Sequence, residues 1–89
     1  MFNLLNFKSI PNRHSNGVQA RIYFDNGYGA SVVCSEFSYG GAEGLYELAV
    51  LDKNGQITYS TPITDDVLGY LSKSDVEKVL EDIKNLPVY

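Results

Sequence analysis

From Val18 to Phe24 apolar and polar residues alternate, with Val18, Ala20, Ile22 and Phe24 on one side and Gln19, Arg21 and Tyr23 on the other. A period of two is that of a half-buried β-strand, so the first set predicts a core face and the second a face toward water. Asp25-Asn26-Gly27 follows, and Tyr28 to Cys34 returns as a run of small and β-branched residues. Asn-Gly between β-formers predicts a hairpin. A second hairpin is predicted from Leu45 to Ser60, where Lys53-Asn54-Gly55 divides two strand-like runs and Asn54-Gly55 suits a type I′ turn or a close relative. In its first arm both alternating sets are largely apolar: Leu45, Ala49 and Leu51 against Tyr46, Leu48 and Val50, with Glu47 the only charge. That pattern predicts an interior strand covered on both sides.

Pro62 is expected to end the sheet by removing a ladder donor. Thr64 then reads as the N-cap of a short helix, with Asp65 and Asp66 in its first turn and Val67, Leu68 and Leu71 turned inward. Ser74 and Glu77 have capping-box spacing, and Val76, Val79, Leu80, Ile83 and Leu86 recur at three and four residues, the stripe of an amphipathic helix that Pro87 stops. Glu77, Lys78, Glu81, Asp82 and Lys84 form its solvated face. Phe2 to Ile10 shows neither period cleanly and is read as a strand, and Pro11 to Gly17 collects turn formers and is read as a loop. The fold class is therefore α+β: an antiparallel sheet of four to five strands built from two hairpins, with the C-terminal amphipathic helix packed on one face. Val18, Ala20, Ile22, Phe24, Leu48, Val50, Val79, Leu80 and Ile83 are its expected core.

At 89 residues the chain is expected to make a single domain, 1–89, and a 44% hydrophobic and 20% charged composition indicates neither disorder nor a fibrous repeat. The net charge of -4 opposes partners whose affinity rests on neutralising phosphate, so neither nucleic acid nor an anionic membrane is expected. Cys34 is the only cysteine, which rules out an internal disulfide and suits a reducing compartment. The amino-terminal residues lack a basic lead and an uninterrupted apolar core, and no apolar run reaches membrane-spanning length, so a protein neither exported nor membrane-spanning is expected.

Candidate chemistry is sparse. His14, the only histidine, lies in the polar loop without a second histidine or a cysteine to complete a metal site or a triad. Cys34 reads as a small apolar filler. Gly40-Gly41-Ala42-Glu43-Gly44 lacks the lysine and hydroxyl residue of a phosphate loop and places Glu43 where an anion would sit, so no nucleotide cofactor is expected. The ten residues from Ser35 to Gly44 nevertheless exceed an ordinary hairpin loop, and Tyr39, Gly40, Gly41 and Glu43 are the first candidates for partner contact. Asp65 and Asp66 are the second; they favour a helix dipole more simply than they bind a metal, although with Glu43 they compose the alternative of a small nucleotide- or metal-binding protein. Seven tyrosines in an acidic chain suit a protein interface better than base stacking.

Tyr39-Gly40-Gly41, Glu43-Gly44-Leu45-Tyr46-Glu47, Thr58-Tyr59, Thr61-Pro62-Ile63-Thr64-Asp65-Asp66-Val67 and Gly69-Tyr70-Leu71 together resemble small proteins of uncharacterised role encoded by tailed phages and prophages, over roughly residues 22 to 86. The resemblance implies an accessory protein of the infected bacterial cytoplasm, a group in which small acidic proteins often inhibit host enzymes or defence systems. It carries over no catalytic residue. The expected function is accordingly a non-enzymatic module that binds a host protein, with a structural virion component or a homo-oligomer as the other alternative.

Overall fold

The computed structural model describes residues 1–9, 17–36, 38–63 and 66–88. Five antiparallel strands lie side by side in chain order: β1 (Lys8–Ser9), β2 (Gly17–Tyr23), β3 (Gly29–Ser35), β4 (Tyr46–Leu51) and β5 (Leu68–Leu71). The helix α1 (Lys73–Lys84) packs on one face, which makes the fold α+β with an open antiparallel sheet.

The alternation of β2 sorts its side chains as expected: Ala20 is buried, Ile22 and Phe24 lean on the core, and Arg21 and Tyr23 are exposed. Register carries the core across the sheet, because Ala20 lies opposite Val32 and Val32 opposite Leu48. Directly opposed residues share a face, so this row meets Val76, Leu80 and Ile83 of α1, all fully buried. Val79 packs at the margin of this cluster, whereas Val18 stands half-buried outside it. In β4 the residues Leu48, Ala49, Val50 and Leu51 are all buried, as a doubly apolar interior strand requires.

Both Asn-Gly turns form, but not as type I′. Gly27 (φ 92°) and Gly55 (φ 78°) take the left-handed conformation while Asn26 and Asn54 do not. Each is a type I turn closed by a glycine bulge: Gly27 N donates to Phe24 O (3.1 Å) and Phe24 N to Tyr28 O (2.8 Å), and the second turn repeats this with Gly55, Asp52 and Gln56. The Asp52 carboxylate, accepting from Asn54 N (2.8 Å) and Gln56 N (3.1 Å), selects that geometry. Asn26 is buried because its Nδ2 reaches Ile83 O (2.8 Å), Lys84 O (3.2 Å) and Leu86 O (3.1 Å), carbonyls at and just beyond the end of α1.

Four expectations are corrected. The return arm of the second hairpin keeps only a bridge between Leu51 and Ile57 and the bond from Thr58 N to Val50 O (2.9 Å); the neighbour of β4 along its length is β5. Leu68 to Leu71, expected in a short helix, is this strand, while Thr64 and Asp65 lie outside the described residues. Pairing Tyr46 with Leu71 turns Leu71 toward the core, as expected of it, but from a strand and not from a helical turn. The sheet thus resumes beyond Pro62. The capping box belongs to Ser72 and Asp75, two residues earlier than read: Ser72 Oγ accepts from Asp75 N (3.1 Å) and Asp75 Oδ2 from Ser72 N (3.0 Å). Finally, the amino-terminal segment forms a 3-10 turn at Phe2–Leu4 before the two-residue β1, since Phe2 and Phe7 pack around Tyr46 with ring centroids 5.3–5.8 Å apart.

Glu77 has another task. It accepts from the amino-terminal ammonium group and from Phe2 N (2.8 Å), tying the chain's start to α1. The ammonium hydrogen bond holds the Glu77 carboxyl below its ordinary range, and the Ser72 backbone N–H does the same for Asp75. Because folding lowers both pKa values, the stability they contribute is complete above the ordinary carboxylate range and is lost as pH falls through the lowered values. Glu77→Gln should therefore flatten the acid side of the melting temperature–pH profile. A profile unchanged from the parent would show that the tie contributes nothing.

Candidate functional site

The loop between β3 and β4 is built by its glycines and serines. Ser38 Oγ accepts from Ser35 N and donates to Ser35 O (both 2.9 Å), folding the chain back at the end of β3. A 3-10 turn, Gly41–Glu43, follows between Gly40 (φ 90°) and Gly44 (φ 77°). At Gly41 space is the constraint: a Cβ would stand 1.7 Å from Ser35 O. These contacts make the expected interaction loop a closed structure and place Tyr39 at its edge, 61% exposed.

The strand β5 meets this loop. Tyr70 N donates to Tyr39 O (3.1 Å), and a Cβ on Gly69 would stand 2.5 Å from Tyr39 Cβ. Between the pairs Tyr46–Leu71 and Leu48–Leu68, β5 carries two residues, Gly69 and Tyr70, where β4 carries one, Glu47. This is a β-bulge, a device that re-aims a side chain. Tyr70 takes φ 56° there, the one described non-glycine residue with positive φ, and the residue is 60% exposed. For a bulky L-residue the left-handed conformation costs about 1–2 kcal/mol, which glycine would not incur.

Glu47 sits inside this junction, its Oε2 accepting from Tyr39 N (3.0 Å). Tyr39, Gly40, Gly41 and Glu43 lie along this one loop, and Gly69, Tyr70 and Glu47 meet it at Tyr39. Asp66 is exposed and accepts from Val67 N through Oδ1 (2.8 Å), while Asp65 lies outside the described residues, as do His14 and its loop. Comparison with protein-family models, curated proteins and solved structures finds no match. Among the described residues no three His, Cys, Asp or Glu side chains stand where they would hold a metal ion, and no described helix is long and apolar enough to cross a membrane. Cys34 is half-buried, its Sγ 3.9 Å from Gly41 O. The sequence pattern does not single out Tyr70, because the spacing around Gly69-Tyr70 predicts a helix. A glycine followed by an aromatic residue within a short apolar run was the available bulge signal.

Proposed function

We propose that this chain is a non-enzymatic protein-binding module whose contact surface is the junction of the Tyr39 loop with the β5 bulge. The observation that carries the reading is Tyr70: an exposed ring held in a conformation that glycine would take at lower cost, beside a second exposed tyrosine on a closed loop. Strain of this kind is held in place by the surrounding structure and clusters at functional sites. Tyrosine gives large contact area with a polar tip and few rotors to freeze, and a surface already ordered loses little entropy on association.

The partner's chemistry follows from charge. Between Ile22 and Ser72, Lys53 is the only basic residue, against seven acidic ones that include Glu36, Glu43, Glu47 and Asp66. A basic protein surface complements such a rim and is steered toward it. The resemblance to phage accessory proteins supports a bacterial host enzyme or defence protein as that partner, bound in the infected cytoplasm and inhibited by occupation. The test is capture from host lysate with the parent and with Tyr39→Ala as paired baits, followed by affinity measurement on the protein recovered. An aromatic anchor is worth about 2 kcal/mol, so Tyr39→Ala should weaken binding by roughly thirtyfold at an unchanged melting temperature. Equal affinity for both baits would place the interface elsewhere.

A further inference from the structure

The sheet face turned away from α1 holds a second feature, distant in character from the tyrosine junction. Register places Lys8 opposite Gln19, Gln19 opposite Val33, Arg21 opposite Ser31, and Ser31 opposite Ala49. Their parity along β2 is the reverse of Ala20 and Ile22, so these side chains leave the sheet on the side without the helix. Gln19 Nε2 donates to Ser31 Oγ (2.8 Å), fixing both at the centre of the face.

Two adjoining hollows share Gln19 and Arg21. One, of about 430 Å³, is lined by Asn6, Lys8, Ser9, Gln19 and Arg21. The other, of about 180 Å³, runs over Val33, Ala49 and Leu51 toward Ile57 and Val67. The first is lined by polar residues, two of them cations; the surface of the second is largely apolar. Neither the Lys8 ammonium nor the Arg21 guanidinium makes an ion pair or a hydrogen bond with any described residue. Among the described residues the only carboxylate on the apolar groove, Glu47, stands two strands from Arg21, roughly 10 Å by strand spacing, and is engaged by Tyr39 N. In a chain of net charge -4, the two cations lie together where no described acid answers them.

We propose that these hollows form a binding site for a small amphipathic carboxylic acid, with the carboxylate on Arg21 and Lys8 and the apolar body along Val33, Ala49 and Leu51 beneath Ile57 and Val67. A guanidinium matches a carboxylate with two parallel hydrogen bonds, Lys8 adds a point charge, and Gln19 and Asn6 offer neutral donors. The apolar groove is too small for a helix, about 10 Å across, yet suits one ring system or a short acyl chain, which favours a free small molecule over a protein segment. An inorganic anion would leave the apolar groove empty.

The probe is 1-naphthoate, titrated into the isotopically labelled full chain and followed by amide chemical shifts, with 1-naphthalenemethanol and inorganic phosphate as comparisons. Naphthoate should move the amides of Gln19, Arg21, Ser31 and Ala49, and the neutral alcohol should bind at least about tenfold more weakly, since a hydrogen bond to a charged group contributes about 1.5–3 kcal/mol. Arg21→Gln, a change at an exposed position, should remove that preference for the acid and leave the alcohol's affinity as it was. Equal binding of acid and alcohol, tighter binding of phosphate, shifts confined to other faces, or no shift at millimolar probe would each overturn the proposal.

Discussion

Ile83→Ala is expected to lower stability by about 2–5 kcal/mol, because Ile83 is fully buried and α1 cannot move inward to fill the space that the lost methyl groups leave. The helix meets a sheet whose facing residues, Ala20, Val32, Leu48 and Val50, are themselves buried and held in register by three paired strands. Alanine's better helix propensity returns only a few tenths of a kcal/mol. For a chain of 89 residues each kcal/mol corresponds to roughly 4–8 °C, so the melting temperature should fall by ten degrees or more. A loss below about half a kcal/mol would mean that the helical stripe does not face this sheet.

Gly41→Ala should follow at about 2–3 kcal/mol, from the opposite cause. The added methyl would stand 1.7 Å from Ser35 O and 2.4 Å from Ser38 Oγ, and the first of these is backbone that no rotamer change can move aside. Relief requires the loop to open, breaking the Ser35–Ser38 hydrogen bonds and releasing Tyr39 from its place beside β5. Gly44→Ala separates the two demands a glycine can meet, since it has φ 77° but nothing within 4 Å, and should cost only about 1 kcal/mol. Thermal melts of the two variants side by side check the ordering. Equal melting temperatures would show that close approach at Gly41 is unimportant.

Much of the scaffold could be read from residues alone because its signals are local. The alternation of Val18 to Phe24 sorted Arg21 from Ile22, the doubly apolar run around Leu48 marked an interior strand, and the three–four spacing of Val76, Leu80 and Ile83 marked the buried face of α1. What escaped depends on distant parts of the chain. Leu68 to Leu71 is too short and too close to a pair of aspartates to declare itself a strand, and becomes one because β4 has an open edge for it. Ser72 and Ser74 both precede an acid by three residues, and Glu77 is drawn away by the amino terminus, leaving Asp75 to close the box. Asn26 looked like turn chemistry only, since its role at the end of α1 joins residues far apart in sequence. The tyrosine junction was half legible: loop length and the glycine pair pointed to Tyr39, whereas Tyr70 is identified by a backbone angle.

That angle offers the most direct measurement. Tyr70→Gly should stabilise the fold by about 1 kcal/mol, raising the melting temperature by several degrees, because glycine adopts φ 56° without strain and the exposed ring contributes no core contact. The same variant should bind the captured partner at least tenfold more weakly, since the ring is what the strain maintains. Higher stability together with lost binding is the result predicted here. A Tyr70→Gly protein that melts lower than the parent and binds its partner undiminished would contradict it, showing that the ring serves the scaffold and that the contact surface lies elsewhere.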